Sequence, residues 1–273
     1  MNSRRTFFKK ASLLGLSPFI TLDTLRSPET WNRITGSEAI QKIDPLISSP
    51  ANPNEWPAFR EKLKTWRVSV QKELNYDGSI YADKSFEWTQ RNFSCYFLMM
   101  YDLHFFDRHS VQYTVDKIIS RGVKEFGGYD SVVLWHAYPR IGLDERNQYD
   151  YYRDMPGGLP GLRNVVEQFH RHGIRVFIAY CPWDKATRRE DKTDPEMLAH
   201  ILAEIDGDGI FLDTMKAAGD AFKQQLNTFR KEGIALESEL ALDIEEIPQH
   251  HFSWAQWFND KFVPGVLRNK WFE

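Results

Sequence analysis

Cysteine is scarce: only Cys95 and Cys181 occur in 273 residues, far apart and in neither a metal-binding nor a redox motif. Each lies in an apolar run, so buried free thiols are expected. Net charge is scarce too. Thirty-five basic against 38 acidic residues leave −3, without the basic excess of a general nucleic-acid binder. Gly157-Gly158-Leu159-Pro160-Gly161 opens a helical pattern but lacks the Lys-Ser/Thr of a nucleotide-hydrolase phosphate loop. No Gly-x-Ser-x-Gly elbow occurs, which removes the commonest serine-hydrolase layout. No stable membrane span is expected, since the N-terminal apolar run, Ala11 to Leu22, is only twelve residues long.

What is plentiful is aromatic: 9 Trp, 11 Tyr and 19 Phe. Most suit a core, but flat faces beside polar groups also suit flat ligands, sugars included. The composition, 42% hydrophobic and 27% charged, is that of a globular protein. Residues 1–22 read as an export signal, basic from Met1 to Lys10 and then apolar. The string Ser3-Arg4-Arg5-Thr6-Phe7-Phe8-Lys9 resembles a bacterial twin-arginine signal, which implies a periplasmic or extracellular protein. Residues 23–92 read as a linker and an N-terminal helical segment. The helix is expected from Pro57 to about Leu74, with Phe59, Leu63, Trp66 and Val70 on one face.

From residue 93 to 273 the pattern changes to alternating strands and helices. The apolar run Phe93 to Tyr101 ends in Asp102-Leu103-His104, and a helix follows from about Val111 to Phe126, stopped by Gly127-Gly128. Ser131 to Trp135 is a strand ending at His136; the loop Asp144 to Gly158 after it is polar and Tyr-rich, suited to a flap. A helix runs from Gly161 to His172, with His170-Arg171-His172 expected to face solvent. Arg175 to Tyr180 is a strand ending in Pro182-Trp183-Asp184, followed by a helix from Pro195 to Ile205. Gly209 to Leu212 is a strand ending at Asp213. A helix from Asp220 to Glu232 precedes a strand begun by Ile234 that carries Glu237 and Glu239. Successive β-α units of this kind build a parallel sheet. The fold expected is α/β, a (β/α)8-barrel-like domain with about five of the eight units recognisable.

The strand ends carry the functional signal. A buried strand has no need of an acid, and burying an unpaired carboxylate is costly. One acid in such a place has a helix cap as its lesser alternative, Asp184 and Asp213 included. Five successive strands ending in Asp102 and His104, His136, Asp184, Asp213, and Glu237 with Glu239 read as a site, because barrel chemistry sits at the C-terminal strand ends. The segments Trp135-His136-Ala137-Tyr138-Pro139-Arg140, Tyr180-Cys181-Pro182-Trp183-Asp184, Asp208 to Asp213 and Glu237-Ser238-Glu239 resemble the strand ends of barrel glycoside hydrolases of the α-amylase and α-galactosidase type. That resemblance implies Asp213 as nucleophile and Glu237 or Glu239 as acid/base. Phe211 stands where an amylase has arginine, two residues before the nucleophile.

Glycosidic hydrolysis uses two carboxyl groups, held about 5–5.5 Å apart for retention and about 6.5–9.5 Å for inversion. Strands lie roughly 4.8 Å apart, which suits the shorter spacing. Glu237 and Glu239 share one face of their strand; Glu237 is the favoured acid/base, with Glu239 orienting it. Asp102, His104, His136, Tyr138, Arg140, Trp183 and Asp184 are the expected sugar-binding residues. Arg140 alternatively pairs with Asp144 or Asp150. No cofactor and no metal ion are assigned, and the expected partner is a carbohydrate rather than nucleic acid. A metal-dependent hydrolase on the same barrel is the competing enzyme reading, since Asp102, His104, His136, Asp184 and Asp213 converge in principle. Only 181 residues follow position 92, short of the usual ~250 of a closed barrel. A C-terminal truncation is therefore expected, with Phe252 to Phe262 helical. A second chain completing the barrel, or an inactive carbohydrate-binding relic, are the further consequences.

Overall fold

A computed structural model describes residues 46–136, 143–184, 188–229, 233–256 and 265–272. The expected signal, with Tyr138 and Arg140, lies outside them. The elements in chain order are β1 (Leu46–Ser48), α1 (Trp56–Glu73), α2 (Ser79–Ala82), β2 (Cys95–Met99), β3 (Phe106–Asp107), β4 (Gln112–Tyr113), α3 (Val115–Phe126), β5 (Ser131–Trp135), α4 (Gln148–Arg153), α5 (Gly158–Arg171), β6 (Arg175–Tyr180), α6 (Asp194–Ile205), β7 (Gly209–Leu212), α7 (Asp220–Phe229), β8 (Ala235–Leu240), β9 (Phe252–Gln256), β10 (Gly265–Leu267) and α8 (Arg268–Phe272). Helix α1 follows the expected apolar face, burying Phe59 and Leu63.

Six strands form one parallel sheet in the order β2-β5-β6-β7-β8-β9. Sequential order with all strands parallel is the signature of a (β/α) barrel wall. Apolar residues occupy both faces of the central strands, as a doubly covered parallel sheet requires. Outward, Val132, Leu134, Val176, Ile178, Ile210, Leu212 and Leu236 pack with the helices, including Ile118 of α3, Leu162 and Val166 of α5, and Leu198 and Leu202 of α6. Inward, Val133, Trp135, Phe177, Ala179, Phe211 and Ala235 form a second cluster with Trp88, Phe97 and Phe252. The sheet is curled enough that its two edge strands meet across this interior. Phe97 of β2 and Trp254 of β9 stand 5.5 Å apart, centroid to centroid.

The structure corrects three expectations. Phe252–Gln256 is a strand, not a helix. Its residues obey a period of two: Phe252 packs inward against Trp88 and Phe177, while Ser253 bonds Ser238 Oγ on the neighbouring strand at 2.9 Å. A sheet neighbour with a vacant inner face selected that reading over an equally apolar helical one. The segment Asp144 to Gly158 is not a solvated flap either. Asn147 and Asp150 form a capping box that opens α4, and Tyr149, Tyr151 and Tyr152 are buried. Of His170-Arg171-His172, Arg171 and His172 are exposed as expected, but His170 is half-buried: its Nε2 pairs with Asp208 at 2.8 Å, and Asp208 also accepts from Arg175 and from Val176 N. That cluster pins α5 to the start of β6.

The sequence signals that did work have simple causes. Gly127, at φ 92°, takes the left-handed position that ends α3, and its N–H returns to Val123 O. Thr193 caps α6, its hydroxyl accepting from Glu196 N, with Pro195 in the first turn. Gly209 is required for a different reason. A Cβ there would meet the Phe177 ring at 2.4 Å and Ala235 O at 2.7 Å, so only glycine lets the interior ring seat against β7. Gly209→Ala is expected to cost roughly 1–3 kcal/mol through overpacking, read as a lower midpoint with unchanged slope in urea unfolding. Wild-type stability in that variant would contradict the packing described.

Candidate functional site

Alternation along β7 puts Phe211 inside, Leu212 outside and Asp213 inside again, at the C-terminal rim. Phe211 pairs with Glu237 and Leu212 with Ser238. One rung further, Asp213 stands beside Glu239, close enough for the neighbouring carboxyl to act on it. On the other side, Tyr180 pairs with Leu212, so the next residue, Cys181, meets Asp213 and donates its thiol to Oδ2 at 3.0 Å. The rim thus reads Cys181, Asp213, Glu239 across three strands. Glu237 lies one rung deeper than the pair.

Asp213 is buried, and desolvation pushes its carboxyl up to about 7, assisted by the neighbouring Glu239 carboxyl. The Cys181 thiol and the Trp183 indole N–H act the other way, holding it down. A second carboxyl beside a buried one disfavours its charged form, which adds to the upward push on Asp213. Glu239 is half-buried and accepts from Thr214 N at 2.6 Å. That amide is aimed by a strained backbone: Thr214 has φ 57°, a left-handed conformation unfavourable for a β-branched residue. Strain of this kind costs on the order of 1–3 kcal/mol and persists only where the surrounding structure holds it.

Glu237 sits in the aromatic interior, 4% exposed. Its Oε1 accepts from Trp254 Nε1 at 2.7 Å, and its Oε2 has no partner among the described residues. Burial raises its carboxyl to about 7, with the indole donor opposing. Trp183 and Trp254, each donating to one of the carboxyls, are both 37% exposed and flank the group.

Helix α4 fixes the rim from outside. The β5–β6 pairing stops at Leu134 and Ile178. Beyond that point the Tyr152 phenol stands between the strands, donating to Leu134 O at 2.9 Å and accepting from Ala179 N at 2.8 Å. Four residues earlier on the same helix, the Gln148 amide takes both backbone groups of Cys181, at 2.9 and 3.0 Å. Spacing of four puts both side chains on one helical face. Around α4, Asp150 and Glu190 bind Arg153 and Arg188, with Asn147 also donating to Glu190. The Arg153 guanidinium holds the Glu190 carboxyl down at about 2, despite partial burial. These pairs tie the loop after β6 to the helix after β5.

The expected site residues separate into three groups. Asp213, Glu237 and Glu239 converge, and Trp183 and Asp184 join them. Asp184 closes a turn onto Cys181 O at 3.1 Å, and its charge reaches the Cys181 thiol. His136 turns outward and is buried against Tyr151 and Tyr152. With the phenol donating elsewhere, His136 Nδ1 carries the hydrogen in their 3.1 Å contact, and burial holds the ring neutral, near 3. Asp102 caps a local turn through His104 N at 2.8 Å, and His104 is exposed. Tyr138 and Arg140 lie outside the described residues. Sequence reasoning missed Gln148, Tyr152 and Trp254. For the first two, four-residue spacing behind the capping box was a usable signal; for Trp254, alternation with Phe252 was. Both thiols are free, Cys181 fully buried.

These ionisations set opposite pH dependences. The folded value of Glu237 near 7 exceeds the ordinary 4.5, so the native state keeps an extra proton between those limits and loses stability as pH rises through them. Glu237→Gln stays neutral and keeps an acceptor for Trp254. Its Tm relative to wild type is expected to climb between pH 4.5 and 7, by several degrees, and then level off; a constant difference from pH 5 to 8 would refute the buried-acid description. His136, His250 and His251 are depressed by burial, to about 3, 4 and 3 from 6.5. Their contribution is complete above 6.5 and lost as pH falls toward 4 and 3, so wild-type melts should drop steeply over that acid range.

No family model matches the chain, and no curated protein does. Solved structures do overlap it. The α-amylase of Geobacillus thermoleovorans, complexed with acarbose, is 17% identical over 56% of this chain and 47% of its own, with a TM-score of 0.34. The α-N-acetylgalactosaminidase NagBb of Bifidobacterium bifidum, in its Gal-NHAc-DNJ complex, is 14% identical over 78% and 45%, with a TM-score of 0.48. A β-arabinopyranosidase is 14% identical over 60% and 26%, with a TM-score of 0.33. The chain spans less than half the length of each of these structures. At such scores the assignment to a partial (β/α)8 barrel rests on the chain's own strand order and direction.

Proposed function

We propose that this chain carries a glycoside hydrolase-type site, cleaving O-glycosidic bonds of a carbohydrate with Asp213 as nucleophile and Glu239 as general acid/base. The observation that carries this reading is the pair itself: two carboxyls side by side on neighbouring strands at the C-terminal rim, with Asp213 buried and pushed up to about 7. Double displacement needs an ionised nucleophile and a protonated acid, so on this reading the Asp213 proton passes to Glu239 when substrate binds. Adjacent strands favour the short separation of a retaining mechanism, and substrate entry must part the two groups. Glu239 is favoured over Glu237 as acid/base because it is half-exposed at the rim, whereas Glu237 is enclosed by aromatic rings. Glu237 then supports the site from below, fixing Trp254.

Trp183 and Trp254 offer the partly exposed faces on which a sugar ring would stack, and Asp184 would accept from its hydroxyls. Export to the periplasm or beyond is part of the same proposal, on the strength of the Arg4-Arg5 segment. A metal hydrolase is less favoured. Among the described residues no three His, Cys, Asp or Glu side chains are grouped to hold an ion, and His136 and His104 do not join the Asp213 group. Among the described residues, too, no helix is long and apolar enough to cross a membrane.

Aryl glycosides of several sugars, assayed with full-length protein, provide the test. Asp213→Asn and Glu239→Gln are each expected to lower kcat by roughly 10²–10⁴, with Glu239→Gln least affected on substrates having good leaving groups. Glu237→Gln should retain most activity. Proton NMR of the first-formed product should show the substrate's anomeric configuration. Wild-type protein that binds sugars without turning any of them over would instead favour the carbohydrate-binding relic.

A further inference from the structure

Asp213 faces Cys181, Trp183 and Asp184 from the end of β6 and Glu239 from β8, with Glu237 one rung below, among the described residues. Of these, the two donors are the Trp183 indole and the Cys181 thiol. The thiol is the unusual one. It is fully buried, and burial together with the Asp213 charge pushes its ionisation far up, so it remains protonated and can only donate. Its backbone is gripped on both sides by the Gln148 amide, so its direction is set by α4 rather than by the strand ladder, which has already parted at this level.

We propose that Cys181 is a positioning residue for the carboxyl pair: aimed by Gln148, its S–H steers negative charge onto Asp213 and keeps that residue ionisable beside Glu239. The proposal rests on the catalytic reading of the pair, but its consequence is a property of the resting protein. The opposing influences are the burial of Asp213 and the Thr214 N–H on Glu239, which favours charge on Glu239 instead. Hydrogen bonds to the ionised form lower a carboxyl's pKa, so loss of the thiol leaves the proton more firmly on Asp213. Serine in its place supplies a stronger donor of similar shape.

The test is carboxyl-carbon NMR titration of the full chain labelled at Asp and Glu, assigned with Asp213→Asn and Glu239→Gln. In Cys181→Ala the upper midpoint of the pair is expected to rise by roughly half a pH unit or more. In Cys181→Ser it should stay at or below the wild-type value. A purely structural role would move neither midpoint, or would move both variants alike, and either result overturns the proposal. The infrared S–H stretch of wild-type protein gives a second reading that needs no cavity-forming substitution. The Cys181 band should shift as Asp213 titrates and stop doing so in Asp213→Asn, with Cys95 as internal reference. A band constant across the titration overturns the proposal even if Cys181→Ala fails to fold. Neither readout needs turnover, so an inactive protein with the expected shifts would sink the glycosidase reading alone.

Discussion

The interior of the curled sheet has to be filled, and aromatic side chains fill it. Inside the wall, Phe97, Trp135, Phe211 and Trp254 form one set of edge-to-face and tilted ring contacts, and Phe177, Phe252 and Trp88 form another. Each such side chain contributes roughly 1.5–3 kcal/mol by leaving water. Their bulk lets six strands enclose a packed interior, with the edge strands β2 and β9 joined by Phe97 and Trp254. Everything at the rim depends on this plug. It removes water from Glu237, it gives Trp254 a fixed direction, and it leaves the last inward rung as the first place where polar groups are tolerated.

At that rung and the one below it, the structure spends its polar interactions on three acids. Four donors converge: the Cys181 thiol and Trp183 indole on Asp213, the Thr214 amide on Glu239, and the Trp254 indole on Glu237. None of them is a full positive charge. Ionic pairing is concentrated outside, where Arg153 and Arg188 hold Asp150 and Glu190 around α4. The division has a physical consequence. Neutral donors orient the carboxyls without supplying a counter-charge, so burial keeps Asp213 and Glu237 pushed up to about 7, in the working range of an acid/base group.

Helix α4 connects the two regions. Tyr152 and Gln148 replace the missing rungs between β5 and β6, which satisfies backbone groups that would otherwise be buried without partners. The strands can then diverge at the mouth without exposing their ladder to water. His136, an expected sugar ligand, is occupied on the outer side of this junction.

By itself the sequence determined the periodicity. Alternation of apolar strand runs with capped helices, Gly127 and Thr193 among the punctuation, carried the parallel order of five strands, and the inward period of two carried the convergence of Asp213, Glu237 and Glu239. These are local properties, set by side-chain spacing and backbone sterics within a few residues. Tertiary structure decided the rest. Whether Phe252–Gln256 is strand or helix depended on a neighbouring strand 15 residues earlier, and whether His136 faces the mouth or the helices depended on where Tyr152 inserts. The depth difference between Glu237 and Glu239 came from the register with β7 and from Trp254 across the interior. No local rule encodes such relations, because they arise only when distant segments compete for the same enclosed volume and the same hydrogen-bond partners.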